Sequence, residues 1–148
     1  MKKLGWSLLV GLALLPATKA AELTWLTDLA KAEETAKSEG KLVLIDFTGS
    51  DWCAYCKQLN KEVFSTKKFE DYAKKNLVLV EADFPNSKPQ PASLQKANKE
   101  LSKKYNISGF PTLVILDGSG KVLGKEEGYG GGGPDALIST IDKYRNKS

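Results

Sequence analysis

The sequence predicts an α/β sandwich around a mixed β-sheet, ordered βαβ, then α, then ββα. Three observations carry that expectation. Two short runs, Leu42-Val43-Leu44-Ile45-Asp46-Phe47 and Leu77-Val78-Leu79-Val80, are almost wholly apolar, as central parallel strands covered by helices on both faces require. Between them Cys56, Leu59 and Val63 fall at i, i+3 and i+7, the spacing of a helix face. Later, Thr112 to Leu116, the turn Asp117-Gly118-Ser119-Gly120 and Lys121-Val122-Leu123 read as a hairpin.

The chain opens with Met1-Lys2-Lys3, an apolar run from Leu4 to Leu15, the breaker Pro16 and Ala17-Thr18-Lys19-Ala20. A basic start, an apolar stretch and small residues are the order of a secretory signal, with cleavage expected after Ala20. The run of 12 residues is shorter than the roughly 20 that a membrane span needs. Residues 1–20 are therefore read as a signal peptide and 21–148 as one domain. Trp25 is expected in the core. Leu29, Ala32 and Ala36 then mark a helix between the caps Thr27 or Asp28 and the stop Gly40. A second helix is expected from about Trp52 to Thr66, completing a right-handed βαβ crossover. Pro85 to Ser93 holds three of the six prolines and reads as a loop. Leu94, Ala97 and Leu101 form the next helical stripe. Pro134 suits the first turn of a last helix, with Leu137, Ile138, Ile141 and Tyr144 on its buried face.

Composition narrows the chemistry. The 148 residues include 22 basic and 18 acidic side chains, two cysteines and no histidine. Without histidine there is no Ser-His-Asp or Cys-His relay, and two cysteines cannot fill the shell of a structural zinc. No metal is expected. Loss of residues 1–20 removes three lysines and no acid, which lowers the formal charge from +4 to +1. The basic balance is mostly export signal, and no nucleic-acid surface is indicated.

What remains is thiol chemistry at Trp52-Cys53-Ala54-Tyr55-Cys56. Two cysteines three positions apart at a helix start lie on one side of the first turn. Cys53, at the open end, meets unpaired N–H groups and the positive end of the helix dipole. Both favour the nucleophilic thiolate. Cys56, one turn in, is expected to be the more buried, a thiol available to resolve a mixed disulfide. A purely structural disulfide is the competing reading, but a staple stabilises most when it closes a long loop, and this one encloses two residues.

Trp52-Cys53-x-x-Cys56-Lys57 after an Asp46-Phe47 strand, followed by Gly109-Phe110-Pro111-Thr112, resembles the thioredoxin superfamily. Within it, Asp46 to Cys53 is most similar to exported bacterial thioredoxin-like proteins, and the resemblance spans residues 41–145. It implies a thioredoxin-like fold, with Cys53 as attacking thiol, Cys56 as resolving thiol and Cys53–Cys56 as a redox-active disulfide. It also implies that Pro111 is a cis-proline beside them, with Phe110 offering backbone hydrogen bonds to a substrate segment by strand addition. The family's buried acid, the proton acceptor for the resolving thiol, corresponds to Asp46. Six residues separate it from Cys53, one more than is usual in thioredoxins. A second departure is Glu81, where thioredoxins often carry lysine. Two close, buried carboxyls would raise the pKa of one of them.

Trp52 is read as rim of the active site. Tyr129, with Gly130 to Gly133, is expected in a loop beside the cysteines, where glycine lets a substrate backbone approach. Lys67-Lys68 and Lys103-Lys104 are read as solvated faces. The implied activity is thiol–disulfide exchange with protein cysteines or disulfides by a monomer, without a cofactor, in the periplasm or outside the cell. Potentials in this fold span roughly −270 to −120 mV. With no histidine between the cysteines, a reductant or moderate exchanger is expected rather than a strong oxidant. A membrane electron-transfer reductase would recharge it. The alternative is a non-catalytic binding module using Phe110, Tyr129 and the Pro85–Ser93 surface. A peroxidase reading is weaker, because the Pro-x-x-x-Thr-x-x-Cys setting is missing.

Overall fold

The computed structural model describes residues 22–147. The expected signal peptide, residues 1–20, lies outside them. The elements are β1 (Trp25–Leu26), α1 (Leu29–Glu39), β2 (Leu42–Thr48), α2 (Ala54–Leu59) running into a π-helical turn (Asn60–Phe64), α3 (Lys67–Asn76), β3 (Leu77–Asp83), α4 (Ala92–Lys104), β4 (Thr112–Leu116), β5 (Val122–Glu127) and α5 (Gly133–Arg145). The sheet order is β1-β3-β2-β4-β5. β2 pairs parallel with β3 and antiparallel with β4, so the sheet is mixed, as expected.

Strand parity decides what meets what, because successive side chains point to opposite faces. Val43, Ile45 and Phe47 of β2 join Ala32 and Ala36 of α1 in one core. Leu42 and Leu44 join Leu59, Val63, Phe69 and Ile141 on the other face, under α2, α3 and α5. Asp46 and Thr48 share the parity of Leu42 and Leu44, and Glu81 and Asp83 of β3 share that of Leu77 and Leu79. The face under α2 is thus apolar at one end and acidic at the C-terminal ends of β2 and β3. Ligand sites in open α/β sheets form outside those ends.

Several expectations hold in detail. Asp28, of the two cap candidates, accepts from the Lys31 N–H (3.2 Å), and Gly40 closes α1 at φ 66°. That left-handed conformation costs glycine nothing. The β4–β5 turn is tied by Asp117 Oδ1, which accepts from the N–H groups of Ser119 and Lys121.

Other expectations are corrected. The helix expected over Trp52–Thr66 ends its α-helical part at Leu59, and Thr66 instead caps a separate helix, α3, by accepting from the Phe69 N–H. Only Phe69 and Ala73 of α3 are buried, too sparse a stripe to stand out among its charges. The loop after β3 ends at Pro91, because α4 begins at Ala92 rather than after Ser93. Trp25 is half-buried on the two-residue β1, packed edge-on against Phe64 at 5.0 Å.

Candidate active site

Cys53 caps α2: its Sγ accepts from the Cys56 N–H at 3.2 Å, while the Cys53 N–H donates to Gly49 O at 2.8 Å. The two cysteines are joined in a disulfide with Cα atoms 5.2 Å apart. Both are buried, at 6% and 5% exposure. The expected difference in burial is therefore absent: in the closed disulfide each sulfur covers the other.

Behind Cys56 a polar cavity of about 150 Å³ is lined by Asp46, Thr48, Ser50, Lys57 and Glu81 among others. Asp46 is 7% exposed, and its Oδ1 has no hydrogen-bond partner among the described residues. Burial first, then the charges of Glu81 and Asp83, pushes its pKa up to about 8. Glu81 sits opposite Asp46 in the parallel register. Its own pKa is raised by burial and by Asp83, against a lowering pull from Lys88. A carboxyl that titrates near neutrality beside a thiol is suited to take and return a proton.

The rim is aromatic. The Trp52 indole N–H donates to Phe84 O at 2.8 Å. Its ring meets Phe110 edge-on at 5.9 Å, and Phe110 lies against Phe84 at 5.1 Å. The Phe110–Pro111 peptide is cis. Pro111 O accepts from the Gly128 N–H, and neither backbone polar group of Phe110 has a partner among the described residues. Tyr129 follows Gly128 directly, but its hydroxyl is held by Glu62 Oε2 at 2.8 Å, and it packs on the core under α2.

Sequence reasoning missed the residues that brace this rim. Ser50 donates through its N–H and hydroxyl to Asp83. Asp51 accepts from three consecutive N–H groups, Asn86, Ser87 and Lys88, at 2.7–2.9 Å, which lowers its pKa to about 2. Their partners lie 33 to 37 positions away, beyond any local pattern. The acid before Trp52 and the proline-rich segment after β3 were visible separately, and no signal joined them.

A parallel-antiparallel sheet with a Cys-x-x-Cys disulfide at a helix start, beside a cis-proline, defines a dithiol oxidoreductase of thioredoxin type. Comparison with known proteins agrees. Residues 29–144 match the model of the thioredoxin-like domain, and the chain belongs to that family. It is 37% identical over 122 residues to the disulfide bond reductase DsbH of Chlamydia pneumoniae, covering 82% of this chain and 72% of that one. A solved structure titled DsbH oxidoreductase superposes with a TM-score of 0.76 at 35% identity, covering 84% of this chain and 85% of the other. The thiol:disulfide interchange protein DsbD of Vibrio cholerae is 34% identical over 96 residues, 65% of this chain but only 14% of that longer protein. This chain is a thiol-disulfide oxidoreductase.

Proposed function

We propose that the protein is an exported reductase of protein disulfides that works as a monomer in the periplasm or outside the cell, after loss of residues 1–20. The observation that carries the chemistry is the Cys53–Cys56 disulfide, whose Cys56 lines one cavity with the buried Asp46 carboxyl. In the reduced protein the Cys53 thiolate attacks one sulfur of a substrate disulfide. That S–S bond breaks, a mixed disulfide forms, and the other substrate sulfur leaves as a thiolate that solvent protonates. The ionised fraction of Asp46, which grows as pH approaches 8, takes the proton of Cys56, whose sulfur then attacks Cys53 Sγ. Asp46 afterwards returns that proton to solvent. The second substrate sulfur is released, and the Cys53–Cys56 disulfide closes. Two electrons have passed to the substrate, so a dithiol donor must restore the protein. A membrane electron-transfer reductase fills that role.

The free backbone groups of Phe110, next to Pro111, suit an extended substrate segment added as a strand. Trp52, in edge-on contact with Phe110, flanks that segment, and Tyr129 is assigned to the same substrate surface. The direction of exchange is supported by the relative named a disulfide bond reductase and by the absence of histidine between the cysteines.

The test is reduction of insulin with dithiothreitol, which Cys53→Ser should abolish. Cys56→Ala should accumulate mixed disulfides through Cys53 on non-reducing gels. A redox titration should give a potential nearer −270 than −120 mV. Full activity of Cys53→Ser overturns the mechanism, and a potential near the oxidising end overturns the direction. Processing after Ala20, read by N-terminal sequencing of the exported protein, tests the localisation.

A further inference from the structure

Beyond the thiol chemistry, the segment between β3 and α4 builds a second feature on the rim. Residues 83–91, the last residue of β3 and the segment after it, are strapped to the stretch before Cys53 at four points. The Phe84 N–H donates to Thr48 O, Ser50 holds Asp83, Asp51 holds the N–H groups of residues 86–88, and Trp52 holds Phe84 O. Pro85, Pro89 and Pro91 limit the conformations this segment can take. It therefore stands as a fixed wall, and between it and α4 lies an open cleft of about 550 Å³.

The chemistry of that cleft is one-sided. Its floor carries Trp52 and Phe84, and its ionisable lining is Lys88 and Lys99 alone. The nearest acids are already engaged. Asp51 is satisfied by three N–H groups, and Asp83 is buried, bonded by Ser50 and 3.4 Å from Lys88 Nζ. Lys99 has no ion pair among the described residues and is exposed. The cleft also adjoins the substrate position, because Phe84 packs on Phe110, the residue before the cis-proline.

We propose that this cleft is a docking subsite for an acidic stretch of the protein substrate, an aspartate or glutamate lying a few residues from the disulfide under attack. The inference rests on the reading of Phe110 as the substrate-aligning residue. Trp52 touches Phe110 and also lines the cleft with the two lysines, so it links the strand position to the cleft. Exposed charge pairs are weak individually, so the pair of lysines should act on encounter and selection rather than on the sulfur chemistry.

The test uses the reduced protein and three peptides with one disulfide each, identical except for two flanking positions that are both Asp, both Asn or both Lys. Reduction of hydroxyethyl disulfide is measured for each protein variant as its own reference. At low salt the Asp peptide should have a kcat/KM about three- to tenfold above the Asn peptide, and the Lys peptide should fall below it. The gap should close at high ionic strength. In Lys88→Gln/Lys99→Gln the ratio of Asp to Asn peptide should approach one, and Lys99→Glu should favour the Lys peptide. Equal rates for the Asp and Asn peptides, or a preference that survives in the double variant, overturn the subsite. Failure of the unaltered protein to reduce hydroxyethyl disulfide at all would instead overturn the reductase reading.

Discussion

Asp46 and Glu81 stand opposite each other on the parallel strands β2 and β3, and both line the cavity that reaches Cys56. Parity explains the pairing. Each continues the row of leucines that packs under α2, at the end where the sheet stops being covered by apolar side chains. A carboxyl in that position is costly to ionise, because it has lost water and faces another acid. The cost is the property a proton acceptor near neutrality needs, and it links stability to pH.

The first prediction follows from that linkage. Asp46 is mostly neutral in the folded protein below about pH 8, whereas in the unfolded chain it ionises near the ordinary aspartate value of 3.8. Between these values the folded state holds the extra proton, so stability falls as pH rises from about 4 to about 8. Asp46→Asn removes the titration. Its melting temperature should exceed that of the unaltered protein by roughly 5–10 °C at pH 8.5, and by little at pH 4. Insulin reduction by the same variant should be slow and should lose its rise with pH. Equal melting temperatures at pH 8.5 count against a buried, repelled carboxyl.

The second prediction separates Glu81 from Asp46. The Glu81 charge raises the Asp46 pKa, so Glu81→Gln should lower it and Glu81→Lys should lower it further. The carboxyl carbon shift of Asp46, followed by NMR through pH 5 to 9, reads this directly. The pH midpoint of the resolving step should move the same way in both variants. A midpoint that stays fixed removes Glu81 as a cause and leaves burial and Asp83.

Much of this arrangement was legible in the sequence, for physical reasons that differ by residue. The runs at Leu42–Phe47 and Leu77–Val80 announce central strands because both faces must be apolar. The resemblance to thioredoxins aligned Glu81 with the neighbouring-strand position, alternation put each acid on the face of its strand's leucines, and the register sets Asp46 opposite Glu81. The cis state of the Phe110–Pro111 bond was expected only through the resemblance, since proline alone favours trans. β1 escaped notice because two residues are too few to display an alternation. α3 escaped because its exposed faces are crowded with lysine and acid, as in the Lys67–Asp71 pair. The brace between Asp51 and residues 86–88 depends on chain packing across 35 to 37 positions, where no periodicity operates.

The third prediction concerns that brace. Asp51 titrates at about 2 because three backbone N–H groups donate to it. A depressed carboxylate pKa contributes stability above the unfolded value, and that contribution is lost as pH falls from about 4 to about 2. Asp51→Ala should therefore loosen residues 86–88 at neutral pH. Amide exchange of Asn86, Ser87 and Lys88 should accelerate about tenfold or more, while amides of β2 and β4 change little. Exchange that is unaltered at all three amides would mean the proline-rich segment holds its shape without Asp51.

The last prediction asks what the braced segment contributes to turnover. It lies at the C-terminal end of β3, at the same sheet edge as Cys53, and it presents Phe84 to Phe110. Its contacts with the cysteine loop run through Asp51 and Trp52, not through either sulfur. Lengthening or shortening a surface loop by a few residues changes closure entropy little, so a shortened form should fold. Replacing residues 85–90 by a Gly-Ser link removes the wall and Lys88 together. Small disulfides, which touch only the sulfurs and their immediate surroundings, should be reduced within about twofold of the normal rate. Protein disulfides, which must lie across the rim, should be reduced about tenfold more slowly, chiefly through KM, because binding contacts shared by ground and transition states are lost. An equal loss on small and protein substrates would show that the segment shapes the dithiol itself, with Trp52 as the route, and would remove its role in choosing the partner.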